Sequence, residues 1–200
     1  MLVIGLTGNI GCGKSSLSKI LKDNSLDIID ADIISREIMS NNKLLEEVFQ
    51  VFGEDVKDKD GTLNRKKLAS IVFSDDKKLI ALNDITHPAI KNEIKRRIKD
   101  IENKGRNIVI VDAALLIEGK FLDLIDKLIV ITCDEKEQLN RVMDRDNSNI
   151  DEALNRISSQ MSQDEKVKFG DYIIDNSGSL EELNYKANKL ITYIKENWCE

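Results

Sequence analysis

The chain has 200 residues, 41% of them hydrophobic and 33% charged, and a formal net charge of −6 at pH 7. That length suits one domain with a sizeable core, and the acidic balance argues against a nucleic-acid or anionic-membrane partner. No apolar run approaches the ~20 residues of a membrane span, the N-terminus lacks a signal-peptide pattern, and Cys12, Cys133 and Cys199 have no metal-ligand spacing. A cytoplasmic location with a reducing interior is the expectation.

In chain order, Leu2 to Thr7 is a short apolar run and reads as a buried strand. Gly8-Asn-Ile-Gly-Cys-Gly-Lys14-Ser15 then fits G-x-x-x-x-G-K-[ST], the phosphate-binding loop. Behind it Leu17, Ile20 and Leu21 mark the start of a helix whose positive dipole end would face phosphate. Leu26 to Asp30 reads as a second strand. A helical pattern follows through Ile33, Ile34 and Ile38, then Leu44, Leu45, Val48 and Phe49. Gly53 to Gly61 is a charged loop, and Leu63, Leu68, Ile71, Val72 and Phe73 mark a short helical region. After a helical patch from Lys77 to Asn83, His87-Pro88 reads as punctuation. Pro88 is then expected at the first position of a new helix running to about Lys104-Gly105, with His87 as a turn residue.

Asn107 to Asp112 is a β-branched run expected in the centre of a parallel sheet, and Leu128 to Thr132 is another. Residues 113 to 119 and a short helix connect them. Asp134 caps the next helix, which buries Leu139, Val142 and Met143 and carries Arg141 and Arg145 on another face. Asn147 to Asn149 interrupts it, and a second helix is expected to carry Leu154, Arg156, Ile157, Gln160 and Met161. Asp171 to Asn176 is the last strand, and Ser179 opens a final helix with a capping box to Glu182. Five strands separated by helices predict an α/β fold with a doubly wound parallel sheet, binding its ligand at the carboxyl ends of the strands. The excursion from 33 to 104 is too long for a crossover and reads as a helical substrate lobe.

The chemistry gathers at those strand ends. Backbone N–H groups from Gly8 through Asn9, Ile10, Gly11, Cys12 and Gly13 to Ser16 would cradle the phosphates of a nucleoside triphosphate. Lys14 would reach the β- and γ-phosphates, and Ser15 would ligate Mg²⁺. Asp32, just past the second strand, is the choice for a base that accepts a hydroxyl proton. Asp30 either holds Mg²⁺ through water or caps a helix, and Asp112 is equally a Walker-B acid or a turn residue. Arg141 and Arg145 suit polyphosphate as guanidinium forks. Cys12 sits at a helix N-terminus, which lowers a thiol pKa and would make it oxidisable; the alternative, a small tolerated side chain, is preferred. A GTPase-type switch protein would need Asn-Lys-x-Asp after a late strand, where this chain has Thr132-Cys-Asp-Glu.

Thr7 to Ser15, Asp30 to Arg36, Asp60 to Arg65, Ile85-Thr-His-Pro88, Leu115-Leu-Ile-Glu118, Gln138 to Arg141, Arg145-Asp146, Arg156 to Gln160 and Asp175-Asn-Ser-Gly178 together resemble the dephospho-CoA kinases, in order and spacing along nearly the whole chain. The resemblance implies a P-loop kinase that transfers the ATP γ-phosphoryl group to the ribose 3′-hydroxyl of dephospho-CoA, with no obligate protein partner. It implies a core of about 1–32, 105–138 and 166–200, an acceptor lobe of about 33–104, and a lid of about 139–165 holding Arg141 and Arg145. It makes Asp32, Arg36, Arg65, His87, Leu116 and Glu118 acceptor contacts and puts Asn176 and Gly178 by the adenine. Where the family often has a proline before the Leu-Leu pair, this chain has Ala114.

Overall fold

A computed structural model describes residues 1–72 and 75–199, and only the backbone of residue 76. The chain divides into two compact units, one of residues 1–30 with 98–200 and one of residues 31–97.

The first unit is built on a five-stranded, wholly parallel sheet of β1 (Leu2–Gly8), β2 (Asp27–Asp30), β3 (Ile108–Asp112), β4 (Lys127–Thr132) and β5 (Tyr172–Asp175), in the order β2-β3-β1-β4-β5. The central strands are nearly continuous Val, Ile and Leu because both faces of a parallel sheet are covered. Side chains alternate across it. Ile4, Leu6, Ile110, Ile129, Ile131 and Ile174 pack with Leu17, Ile20 and Leu21 of α1 (Lys14–Asp23) and with Leu183, Ala187, Leu190, Ile191 and Ile194 of α9 (Leu180–Asn197). On the opposite face a side chain at Gly5 would run into Leu116, Ile125 and Leu128. Register brings the polar strand ends level: Asp30 lies opposite Asp112, Asp112 opposite Leu6, and Thr132 opposite Asp175. The sheet thus delivers its carboxylates and the loop after β1 to one edge.

The second unit holds α2 (Ala31–Ile38), α3 (Asn42–Phe52), α4 (Arg65–Val72) and most of α5 (Asp76–Asn103). Its own core is Met39, Leu44, Val48, Val56, Leu68 and Val72. The apolar pattern from Ile33 to Phe49, which reads as one stretch, is two helices, because the Asn41 side chain accepts the Lys43 N–H (3.0 Å) and caps α3. Phe73, expected in the short helix before α5, lies outside the described residues.

Two expectations fail. Pro88 does not start a helix, and His87 is not in a turn: both lie inside the 28-residue α5. A proline there removes the bond to the carbonyl four residues back and ordinarily costs ~3 kcal/mol. Here Leu79, Leu82, Ile85 and Ala89 pack against the second core from both sides of Pro88, and that packing carries the helix across it. Nor do Gln160 and Met161 belong to the second helix of the expected lid. That helix, α7 (Ile150–Ser158), ends before them, and a further short helix, α8 (Gln163–Val167), begins after Ser162, which forms a capping box with Glu165. The first helix of that region, α6 (Glu135–Asp146), is capped by Asp134 as expected.

Candidate active site

The loop after β1 has the geometry of an anion cradle. Gly11 and Gly13 have φ of +83° and +88°, a region that costs an L-residue roughly 1–2 kcal/mol. Neither has room for a side chain: a Cβ on Gly11 would stand 2.8 Å from the Gln138 carbonyl oxygen, and one on Gly13 2.1 Å from Asn176 Nδ2. Helix α1 starts at Lys14 with no side-chain cap and no acidic residue in its first turn. Its dipole end is therefore not countered from within, which fits the phosphates of ATP.

Lys14 Nζ is paired with Asp112, whose side chain is almost wholly buried at the end of β3. Burial pushes the Asp112 carboxyl above its ordinary value, Asp30 adds to that, and Lys14 and Ser18 oppose it. Among the described residues no group of three or more His, Cys, Asp or Glu side chains is placed to hold a metal ion.

The loop is also strapped from the far end of the chain. Gln160 Oε1 accepts the Ile10 N–H (2.8 Å), Gln138 Nε2 donates to the Ile10 carbonyl (2.9 Å), and Asn9 Nδ2 donates to the Met161 carbonyl (2.7 Å). Gln163 Nε2 donates to Gln138 Oε1 (3.0 Å) and to the Cys133 carbonyl (3.0 Å), while its Oε1 accepts the Cys133 N–H (2.8 Å). Asn176 Nδ2 donates to the Cys12 carbonyl (2.9 Å). These glutamines escape a sequence reading. Gln138 and Gln160 stand in motifs of the resemblance, yet nothing local says that their partner is a loop some 130 to 150 residues away.

The arginines are engaged within the same unit. Arg141 donates to the carbonyls of Asn176 (2.8 Å) and Gly178 (3.3 Å). Arg145 makes a two-pronged pair with Asp146 (2.8 and 2.9 Å), and Arg156 joins the same carboxylate. Hydrogen bonds from Arg145, reinforced by Arg156, bring the Asp146 carboxyl down to about 2.

With that geometry in hand, the family model described as CoaE: Dephospho-CoA kinase matches residues 2–182. The chain belongs to the dephospho-CoA kinase family. A dephospho-CoA kinase of Carboxydothermus hydrogenoformans is 44% identical over 197 residues, spanning 98% of this chain and 94% of the relative. A solved dephospho-CoA kinase from Campylobacter jejuni is 30% identical with a TM-score of 0.72, covering 96% of each chain. A solved protein of Thermus thermophilus is also 30% identical, with a TM-score of 0.84, over 96% of this chain and 97% of its own. The chain is thus a P-loop kinase of α/β fold that binds ATP.

The remaining residues that the resemblance to dephospho-CoA kinases singled out fall in both units. In the first, Leu116 is fully buried, with its side chain beside Gly5. Glu118 Oε1 accepts the Met161 N–H (3.2 Å) and pairs with the fully buried Lys166 (2.9 Å), while its Oε2 is buried with no hydrogen-bond partner. In the second, Asp32 is in the first turn of α2 and Arg36 in its last. Arg65 Nη2 donates to the Arg36 carbonyl (3.0 Å). His87 sits midway along α5. The lowered thiol pKa expected of Cys12 at a helix N-terminus is overturned. Its side chain is fully buried, and hydrogen bonding with Cys133 together with burial raises its thiol pKa far above the ordinary value.

Proposed function

We propose that this chain transfers the γ-phosphoryl group of ATP to the ribose 3′-hydroxyl of dephospho-CoA, giving coenzyme A and ADP, the last step of coenzyme A synthesis. The observation that carries the reading is the strapped glycine loop with Lys14 on Asp112, in a chain of this family. Lys14 turns from Asp112 toward the β,γ-oxygens, and the N–H groups at the start of α1 bind the same charge. Bound Mg²⁺ supplies Lewis-acid polarisation of those oxygens. Ser15 in the first turn of α1, a hard oxygen donor of the kind it takes, would hold it; Asp30 and Asp112 lie opposite each other at the strand ends.

Asp32 is the base that orients the acceptor hydroxyl and accepts its proton. The acceptor contacts we assign are Arg36, Arg65 and His87 in the second unit and Leu116 and Glu118 in the first; the unpartnered Oε2 of Glu118 supports a ligand contact at that residue. Arg141 and Arg145 close over the polyphosphate and exclude water, and Asn176 and Gly178 flank the adenine. We assign the lid to about 139–165, the acceptor lobe to about 33–104 and the core to about 1–32, 105–138 and 166–200. The enzyme works in the cytoplasm, with no obligate protein partner. No helix among the described residues is long and apolar enough to cross a membrane.

The test is an assay with ATP, Mg²⁺ and dephospho-CoA against a panel of nucleoside monophosphates and other alcohols. ADP formation matched by a 3′-phosphorylated product from dephospho-CoA is the expected result. Turnover with another acceptor and none with dephospho-CoA refutes the reading.

A further inference from the structure

Cys12 and Cys133 are 121 residues apart in the chain, yet their sulfurs lie 3.4 Å from each other. Cys12 belongs to the phosphate loop, and Cys133 is the residue after β4. Cys12 is wholly buried. Cys133, 7% exposed, lines a cavity of about 1040 Å³ that it shares with Asn9, Gln138, Gln160 and Gln163. The third cysteine, Cys199, is exposed near the C-terminus.

We propose that Cys12 and Cys133 form an oxidation site, in which a hydroperoxide joins the two sulfurs in a disulfide that disables the phosphate loop. Cys133 is the attacking thiol: it faces the cavity, and Cys12 and Arg141 both favour its thiolate. Its sulfur bonds to one peroxide oxygen, the O–O bond breaks, and the other oxygen leaves as water, or as an alcohol from an organic peroxide. Cys12 sulfur then attacks the sulfenic sulfur of Cys133. The S–S bond forms, the S–O bond breaks, and hydroxide leaves with the Cys12 proton as water. The two sulfurs give up two electrons and the peroxide oxygens take them, so hydrogen peroxide and two thiols yield one disulfide and two waters.

Closure needs the sulfurs about 1.4 Å nearer than they stand, since a disulfide bond is about 2.04 Å long. Neither backbone can yield freely. The Cys12 N–H donates to the Asn9 carbonyl (3.0 Å), its carbonyl accepts from Asn176 (2.9 Å), and Gly13 follows at φ +88°. Cys133 is held at both its N–H and its carbonyl by the Gln163 amide. Closure also removes the Cys12 S–H that donates to Gln163 Oε1 (3.3 Å), so the strap loses a contact, and sulfur travel not taken up by side-chain rotation displaces the turn that feeds α1. The inference rests on this loop binding ATP.

The experiment uses the full chain in a Cys199→Ser background, treated with hydrogen peroxide and quenched. Intact mass should fall by about 2 Da, with peptides containing Cys12 and Cys133 linked. Affinity for a fluorescent ATP analogue should fall at least about ten-fold, ~1.4 kcal/mol, and return with dithiothreitol. Cys133→Ser in the same background should bind the analogue like the reduced parent and keep that affinity after peroxide. Mass gains of about 16 or 32 Da without the linkage, or a Cys12–Cys133 disulfide that leaves affinity within about two-fold, overturn the proposal. Failure of the reduced parent to bind the analogue refutes the nucleotide reading instead, and the mass result still decides whether the oxidation site exists.

Discussion

Asn176→Ala should destabilise the protein even before any nucleotide is added. The Asn176 side chain is 7% exposed, and its Nδ2 donates to the Cys12 carbonyl at 2.9 Å. Truncation removes a hydrogen bond from a buried acceptor on a loop that is already conformationally demanding, which costs about 1–3 kcal/mol. For a domain of this size each kcal/mol lowers Tm by ~2–4 °C, so the expected fall is about 2–12 °C in nucleotide-free protein. Thermal unfolding by circular dichroism measures it, with ATP affinity read separately by titration. A double-mutant cycle sharpens the reading. Gly13→Ala puts a Cβ 2.1 Å from Asn176 Nδ2, and Asn176→Ala removes that clash but not the strain of positive φ. The Gly13→Ala penalty should therefore shrink in the double variant without vanishing, a coupling of roughly 0.5–3 kcal/mol. A nucleotide-free Tm for Asn176→Ala within ~1 °C of the parent, less than the ~2 °C minimum, would show that Asn176 serves the ligand alone and does not hold the loop.

Other perturbations test the proposed roles. Asp32→Asn should keep ATP affinity and lower kcat by roughly 10²–10⁴-fold; a near-parental kcat takes the base role from Asp32. Arg141→Ala should lower kcat/KM for ATP and also speed amide exchange around Ser177 and Gly178, whose loop its guanidinium grips; no change in either makes it a surface residue. Asp146 holds Arg145 and Arg156, and its folded pKa of about 2 lies below an unfolded value of ~3.9. Its contribution is present above pH ~3.9 and is lost as pH falls through about 2. Asp146→Asn should therefore flatten the loss of stability between pH 4 and pH 2, as read by acid titration of far-ultraviolet circular dichroism. An acid profile of the parent's steepness would place those arginine contacts outside the stability of this region.

The sheet was legible because a parallel strand covered on both faces is written as an apolar run, and the phosphate loop because its requirements are local. The Asp134 and Ser179 caps were legible for the same reason. What escaped depends on distant partners. Pro88 obeys a local rule that would end a helix, and packing against a core assembled from α2 to α5 overrules it. The Cys12–Cys133 contact and the glutamine strap join segments that only the closed sheet brings together. Without them the sequence leaves three scattered cysteines, and it puts the end of a helix through Gln160.

The strap also sets a mechanical condition on the proposed lid. Gln160, Met161 and Gln163 are fastened to the phosphate loop or to the turn after β4. In the lid proposed for about 139–165, Gln160 is thus a fastened point near the downstream end, bonded to the Ile10 N–H of the cradle itself. On that proposal, a load on the segment would reach the donor loop before it reached the sheet.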